Sequence, residues 1–256
     1  MSVKIFPVIL LVISDLHIDT GGKLGTFGWK TKRFMATLDS VIEHYGVEKV
    51  VLNGDVFDLY KYSFKKIAAA NVKIIDYFNC RGFIQIRGNH DISAPHTHNH
   101  FHITNSSGKT IHIEHGHKAD FLNGTRFGRF LSTTMYAFLK LLIRIRWVER
   151  TFYRAVDYFD DVNRVPRKYN TIKYLMYALQ LLKKYDMVIL GHTHKLESHK
   201  IYYLNSKKIY LNCGTCSLGR LQAVVVDTET FKYETIKIPK KSELEVSQLP
   251  ILKRKK

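Results

Sequence analysis

The chain has 256 residues, of which 45% are hydrophobic, so it can bury one sizeable core and has the composition of an ordinary globular protein. Its net charge of +18 indicates an anionic partner (a membrane surface, nucleic acid or a phosphorylated metabolite), unless the lysines serve only solubility. Three cysteines are too few for a disulfide framework, and the odd number fits a reducing compartment.

The first half of the chain alternates between strand and helix patterns. An apolar run from Ile5 to Ile13 imitates a signal peptide, but no small-residue cleavage site follows it, and it is too short to span a bilayer. We therefore interpret residues 8–14 as a buried strand. We expect a helix over residues 32–45, a strand over 49–52, a helix over 64–78 and a strand over 83–86. This alternation predicts right-handed crossovers and a mainly parallel sheet.

The second half begins with a hairpin pattern, in which strands over 101–104 and 110–114 flank a loop over 105–109. Strand patterns then stop between about residues 121 and 185, where we predict a helical insertion. Its first part has apolar residues at helical spacing, namely Leu131, Met135, Phe138, Leu142 and Ile145, and further helices are expected over 149–161 and 171–185, separated by Pro166. Strand patterns return at residues 187–190, 200–204, 209–213, 221–227 and 232–238. The expected organisation is one domain over residues 1–240, followed by a mobile basic tail over 241–256.

Five short polar motifs each follow an apolar run of strand length. In chain order they are Asp15-Leu16-His17, Gly54-Asp55-Val56-Phe57-Asp58, Gly88-Asn89-His90-Asp91, His115-Gly116-His117 and Gly191-His192-Thr193-His194. They supply Asp, Asn and His side chains but no Cys, a set that suits Mn, Fe or Zn. Side chains at the carboxyl ends of neighbouring strands converge in one crevice. The sequence therefore predicts a metal site with seven ligands: Asp15, His17, Asp55, Asn89, His115, His192 and His194.

A carboxylate has two oxygens, so Asp55 can bridge two ions. Each ion then receives four protein ligands and keeps open positions. Two ions about 3.5–4 Å apart stabilise the attacking and leaving oxygens of phosphoryl transfer, and they lower the pKa of a bridging water.

In this order the five motifs resemble those of the calcineurin-like metallophosphoesterase superfamily, over about residues 8–230. The resemblance implies an α/β fold, namely a four-layer α/β/β/α sandwich around two sheets. It implies that one ion is held by Asp15, His17, Asp55 and His194, and the other by Asp55, Asn89, His115 and His192. It also implies that His90 contacts the phosphate and acts as an acid toward the leaving oxygen, with Asp91 nearby to orient it. Asp58 either supports a ligand or caps the segment that follows it.

Two further groups of residues have plainer explanations than metal binding. His96, His98, His100 and His102 alternate along the chain, and we favour a polar strand edge or loop over a third metal site. His112 is expected to pack in its strand. Cys213 and Cys216 form a C-x-x-C pair without a second pair, so we interpret both as small packed residues.

Within the insertion, the segment from Leu131 to Arg150 is apolar on one side and basic on the other, which is typical of a helix lying in a membrane interface. A helical lid in this position resembles the UDP-2,3-diacylglucosamine pyrophosphohydrolases of lipid A synthesis, which act at the membrane on a nucleotide-linked glycolipid. Those enzymes usually have Arg where this chain has His90, and Asp where it has His117. The alternatives are a lid packed on its own core and a dimer interface.

The sequence thus predicts a dinuclear metal phosphohydrolase that cleaves a phosphodiester or pyrophosphate of a lipid or nucleotide-sugar lipid, such as UDP-diacylglucosamine. Two divalent ions are the expected cofactors, with manganese preferred over iron, zinc or cobalt. The enzymatic alternative is a nuclease or nucleotide phosphodiesterase, whose basic charge follows a nucleic-acid backbone. The alternative of another class is a non-catalytic scaffold that binds a membrane or a partner. The expected location is the cytoplasm, at the inner face of an anionic membrane.

Overall fold

The computed structural model of the chain describes residues 2–4, 8–95, 97–120, 125–160 and 168–240. The strands are β1 Ser2–Lys4, β2 Ile9–Ile13, β3 Lys49–Asn53, β4 Ile84–Ile86, β5 Phe101–Thr104, β6 Thr110–Ile113, β7 Met187–Leu190, β8 Leu196–Tyr203, β9 Ser206–Cys213, β10 Leu221–Asp227 and β11 Tyr233–Ile238. The helices are α1 Thr31–Tyr45, α2 Phe64–Ala70, α3 Val72–Cys80, α4 Arg126–Leu142, α5 Arg146–Asp160 and α6 Lys168–Leu182, with a short 3-10 helix at His117–Ala119. Pro166, His96, the beginning of the insertion at residues 121–124 and the tail over 241–256 lie outside the described residues.

These strands form two mixed sheets. The five-stranded sheet has the order β11-β10-β2-β3-β4. Its strands β2, β3 and β4 are parallel, which confirms the parallel unit predicted from the sequence. The six-stranded sheet has the order β1-β5-β6-β7-β9-β8, in which β6, β7 and β9 are parallel neighbours. The carboxyl ends of β2, β3 and β4 in one sheet, and of β6 and β7 in the other, carry the five motifs.

Three apolar clusters define the layers. The first lies between the five-stranded sheet and helices α1 to α3, where Phe34 and Phe78 pack over Leu11 and Leu52. The second lies between the two sheets and includes residues of β2, β3, β6, β7 and β10. In the third, residues of α6 such as Leu182 cover the outer face of the six-stranded sheet. The predicted α/β/β/α sandwich is therefore confirmed. The sequences of its central strands are continuous apolar runs because both faces of these strands are buried.

Helices α4 and α5 lie over the loops that follow β2 and β3. The Tyr153 hydroxyl of α5 donates a hydrogen bond to the Lys23 carbonyl (2.7 Å), and Glu149 pairs with the Lys23 ammonium (2.9 Å). Lys140 of α4 donates to the Lys61 carbonyl. The predicted insertion thus reaches the same end of the sheets as the motifs. In the described part of the chain, no helix combines the length and apolar character needed to cross a bilayer.

Candidate metal centre

The first two motifs are held together by backbone hydrogen bonds between neighbouring strands. The Asp15 N–H donates to the Gly54 carbonyl (3.1 Å), and the His17 N–H donates to the Asp55 carbonyl (2.9 Å). On the other sheet, the Gly191 N–H donates to the His115 carbonyl (3.1 Å) in the same way. Each motif is therefore placed by the strand that precedes it and by the loop beside it.

The backbone of most predicted ligands is strained. Five of the seven adopt the left-handed region, with φ between 50° and 68°: Asp15, His17, Asp55, His192 and His194. Residues other than glycine adopt this region at a cost, and such residues cluster at functional sites. The strain turns these side chains out of the strand direction and toward a shared centre.

Two glycines allow the loops to approach this centre. Gly54 has φ 84°, and a Cβ there would lie 2.5 Å from the His115 ring. A Cβ at Gly88 would lie 2.5 Å from the Asp55 backbone nitrogen and would also overlap the Asp55 carboxylate. Neither position accepts a side chain without moving a predicted ligand.

One group of three potential ligand atoms is formed by Asp15, His17 and His194. Nε2 of His194 lies 3.1 Å from Asp15 Oδ1 and 3.2 Å from His17 Nε2. The other oxygen of Asp15 is fixed, because it accepts hydrogen bonds from the Ser14 hydroxyl (2.5 Å) and the His192 N–H (2.9 Å).

A second group is formed by Asp55, His115 and His192. His115 Nε2 lies 3.2 Å from Asp55 Oδ2, and His115 Nδ1 lies 2.8 Å from the Asn53 carbonyl. A carbonyl only accepts, so Nδ1 carries a proton, and Nε2 points toward the centre. Burial lowers the pKa of His115, but the charges of Asp55 and Asp15 outweigh it and raise that pKa to about 10, so a cation that binds at Nε2 displaces a proton. Asn89 lies between two residues that touch Asp55, since the His90 N–H donates to Asp55 Oδ1 (2.8 Å) and Gly88 packs against it.

The residues present fit divalent cations. Asn89 Oδ1 is buried and accepts no hydrogen bond within the described part of the chain, a costly arrangement unless a ligand binds it. His17 Nε2 and His194 Nε2 face each other at a distance that two ligands of one ion adopt. Both of these groups draw on the two sheets, because Asp15, His17 and Asp55 follow strands of one sheet, while His115, His192 and His194 follow β6 and β7 of the other.

Burial and neighbouring charges set the protonation of these groups. Burial, together with the charge of His90, lowers the pKa of His17 to about 3, and burial together with His115 lowers the pKa of His192 to about 3. Burial raises the pKa of Asp55, but the charges of His115 and His90 outweigh it and hold that pKa well below its ordinary value. Neutral imidazoles and an ionised carboxylate are the forms that bind metals.

His90 is held by Asp58, not by Asp91 as expected from the sequence. Its Nδ1 lies 3.0 Å from Asp58 Oδ1, and His17, Asp58 and His90 form a third close group. Asp91 instead accepts hydrogen bonds from the backbone N–H groups of Gly88 (2.6 Å) and Val56 (2.7 Å). These bonds fix the loop and need no contact with the ring. Burial and the charge of Asp55 raise the pKa of Asp91 to about 6.

Several neighbours of the site were missed by the sequence analysis. The Tyr60 ring lies 4.1 Å from the His90 ring, and Tyr174 of α6 lies 5.6 Å from the His192 ring. Lys61 is buried and pairs with Asp58 (2.7 Å). Tyr60 and Lys61 follow the second motif closely in the sequence, and this was the only sign that they lie at the site. No sequence pattern indicated that Tyr174 lies there. His117, whose pKa burial and His115 lower to about 4, lies 5.6 Å from His115.

Three further histidines, His100, His102 and His112, form a separate cluster. His102 and His112 face each other across β5 and β6, with their nitrogens 3.3 Å apart, and His100 packs edge-on against His102. His112 also stacks on Tyr185, in agreement with the expected packing role. Within the described residues, the close groups of potential metal ligands do not include this cluster. Cys213 and Cys216 are buried, and both pack beneath the Asp15 motif.

Comparison with known proteins gives one family and several distant structures. The model of the family described as calcineurin-like phosphoesterase matches residues 9–196. Vps29 from Entamoeba histolytica, solved with zinc, is 16% identical, with 90% of this chain and 98% of that chain covered and a TM-score of 0.41. A dimetal phosphatase from Danio rerio is 11% identical, with coverages of 91% and 100% and a TM-score of 0.42. A protein of Streptococcus pneumoniae described as a predicted phosphoesterase is 14% identical, with coverages of 91% and 99% and a TM-score of 0.36. No curated protein matches the chain.

Proposed function

The chain belongs to the calcineurin-like phosphoesterase family and is a hydrolase of phosphoric ester bonds, and from this premise we propose that it cleaves a phosphodiester or pyrophosphate bond of an amphiphilic lipid. The observation that carries the catalytic part is the juxtaposition of two ligand groups with His90. The lipid part is supported by an apolar helix face on the lid beside that site.

We assign one ion to Asp15, His17, Asp55 and His194, and the other to Asp55, Asn89, His115 and His192. Bound there, two divalent cations would supply a water of lowered pKa and neutralise charge on the phosphoryl oxygens. Manganese is our preferred metal, and the oxygen and imidazole donors also suit iron, zinc and cobalt. The His115 ring and the Asp15 carboxylate are already oriented by the Asn53 carbonyl and by Ser14, so little rearrangement is required.

In this proposal His90 gives a proton to the leaving oxygen. Asp58 holds Nδ1, so Nε2 is the nitrogen available to the leaving group. Burial lowers the pKa of His90, but the carboxylates of Asp55 and Asp58 outweigh it and raise that pKa above the ordinary histidine value. A protonated ring is therefore favoured before transfer, as an acid requires. The Tyr60 ring packs against His90 and limits its rotation.

Helix α4 supports a lipid as the substrate class. Six large apolar side chains on this helix are more than half exposed, and we call them the exposed apolar face: Phe127, Phe130, Leu131, Met135, Phe138 and Leu141. Apart from the adjacent Phe130 and Leu131, they follow one another at three or four residues, which places them on one side of α4. Trp147 at the beginning of α5 is 68% exposed as well. Contiguous apolar surface of this kind marks an interaction site.

The charge around this face favours an anionic bilayer as its occupant. No Asp or Glu occurs between Asp120 and Glu149, whereas Lys140, Arg144 and Arg146 lie in that stretch. Arg144 and Arg146 are exposed at the junction of α4 and α5. An apolar face flanked by cations is the composition of a helix that lies in a lipid interface. A lipid substrate would then enter the site from the surface on which the enzyme rests.

The catalytic part is tested first with purified protein and bis(p-nitrophenyl) phosphate, with Mn, Co or Zn added. We expect turnover that requires the metal. Turnover that is absent with each metal, from folded protein, would refute the assignment. UDP-diacylglucosamine, single-stranded DNA and a cyclic nucleotide are then compared. Preference for the lipid supports the proposal, and preference for DNA would favour the nuclease alternative that the +18 charge suggests.

Membrane docking is tested by flotation with vesicles of phosphatidylglycerol or of phosphatidylcholine. We expect binding to the anionic vesicles, and its loss in a Phe130→Ser and Phe138→Ser double variant. Neutralising Arg144 and Arg146 should weaken binding and reduce its dependence on salt. The matched control is Tyr202→Ser, because Tyr202 is 79% exposed but lies on β8. Absent flotation with a stable dimer in solution would show that a second copy covers the face.

A further inference from the structure

The ammonium group of Lys61 lies buried next to the proposed acid. Lys61 is only 3% exposed, and its Nζ lies 2.7 Å from Asp58 Oδ2. The same nitrogen donates a hydrogen bond to Thr26 Oγ1 (3.0 Å). Burying a charged ammonium is expensive, and it is tolerated when a carboxylate and a further acceptor compensate it. Asp58 therefore binds two groups at once, His90 through Oδ1 and Lys61 through Oδ2.

Lys61 also contacts helix α4. Its Nζ lies 5.3 Å from the centre of the Tyr136 ring, a cation–π contact with α4. Lys140, one turn further along the helix, donates to the Lys61 carbonyl, and its Nζ lies 4.8 Å from the Tyr62 ring. The inner side of α4 thus contacts the loop that carries Asp58, while its outer side carries the exposed apolar face.

We infer that Lys61 is a positioning residue through which helix α4 sets the orientation of His90. Without the ammonium, Asp58 Oδ2 is buried without its ion-pair partner, and the carboxylate can turn away from His90. The Nδ1 atom of His90 then loses its fixed acceptor, and Nε2 is no longer held toward the leaving group. Tyr136 restrains the ammonium from the helix side, so a displaced α4 has the same effect in weaker form. This inference rests on the proposed function, because it assigns His90 the role of an acid.

The test compares leaving groups. A poorly oriented acid slows substrates with poor leaving groups more than those with good ones, because only the former need the proton. We expect Lys61→Met to lower kcat roughly 10-fold for a phenyl phosphodiester and less for the p-nitrophenyl compound, with KM and metal content unchanged. Lys61→Arg retains a cation and should recover part of the loss. Lys65→Met, on the exposed side of α2, is the matched control.

A second comparison shows whether Lys61 acts through His90. In a His90→Ala background, Lys61→Met should have little further effect, because residues that act as one unit are not additive. For the helix, Tyr136→Leu should give a leaving-group-dependent loss that Tyr136→Phe does not, since phenylalanine keeps the ring.

Two results would overturn the inference: equal losses for both leaving groups, or a full additional loss in the His90→Ala background. An unchanged Tyr136→Leu variant would remove α4 from the connection. If Lys61→Met does not fold, the losses with the two leaving groups are compared in Lys61→Arg and Tyr136→Leu instead. An inactive wild-type enzyme would instead refute the proposed function, so the two failures are distinguishable.

Discussion

At the scale of single residues, the ring of His90 is oriented by Asp58, whose Oδ1 lies 3.0 Å from its Nδ1. The order and spacing of Asp, Asn and His after apolar runs were enough to predict that these side chains lie close together. The partner of His90 could not be read in the same way, because Asp58 and Asp91 are both close to it along the motifs. The course of the backbone determines which carboxylate binds His90, because the carboxylate of Asp91 already accepts hydrogen bonds from the N–H groups of Gly88 and Val56.

The bridging role of Asp55 and the acid role of His90 predict opposite phenotypes. Asp55→Ala should lose at least one ion per chain, because its carboxylate belongs to one ligand group and is proposed to reach the other. His90→Ala should keep its metal but lose roughly 10²–10⁴-fold in turnover, the usual contribution of a positioned acid. Elemental analysis of both purified variants, together with rates on a phenyl phosphodiester, whose poor leaving group needs the proton, gives the answer. Equal metal occupancy in the two would contradict the bridging assignment.

At the scale of elements, the sequence located the helices and the strands other than β1 but misplaced several boundaries. Residues 64–78 show one helical period, yet the structure divides them into α2 and α3 at Asn71. The Asn71 side chain donates to the Asp19 carbonyl (2.6 Å) and the Ile67 carbonyl (3.0 Å), a tertiary contact that no local pattern contains. The β8–β9 hairpin is longer than predicted, because its two-residue turn contains Leu204, which is not a typical turn residue.

This turn offers a direct stability test. Leu204 has φ 47° and Asn205 has φ 60°, the left-handed pair of a type I′ turn. Leu204 is 83% exposed, so its side chain contributes little packing. Leu204→Asn should stabilise the fold by about 1 kcal/mol, because asparagine adopts this region at lower cost. Asn205→Leu should act in the opposite direction. Urea unfolding of both variants measures the effect, and a destabilised Leu204→Asn variant would contradict it.

At the scale of the whole molecule, the four layers could be predicted, whereas the strand order and the direction of the lid could not. Strand β1 has three residues, too few to show a period, and it pairs with β5 about one hundred positions later. The apolar spacing of α4 is the same whether that face is buried or exposed. Only the structure shows that it points outward.

Metal binding should stabilise the whole chain. Ligands that bind only the folded state contribute about 2.7 kcal/mol per site at a free concentration of one hundred times Kd. For a chain of this size, that corresponds to a rise in Tm of roughly 5–10 °C per site. Thermal unfolding with and without a chelator checks this, and the increment should shrink in Asp55→Ala. A Tm that does not respond to manganese, zinc or cobalt would count against the centre.

The division of each ligand group between the sheets has a mechanical consequence. A cation bound by Asp15, His17 and His194, or by Asp55, His115 and His192, is a crosslink between the two sheets. It adds to the hydrogen bonds that already join them at this rim, such as the one from the Asn53 amide to the Glu114 carbonyl (3.0 Å). Further from the rim, an apolar cluster lies between the two sheets. Release of the ions would therefore loosen the two sheets from each other at the carboxyl ends of their strands, while the apolar cluster between them stays packed.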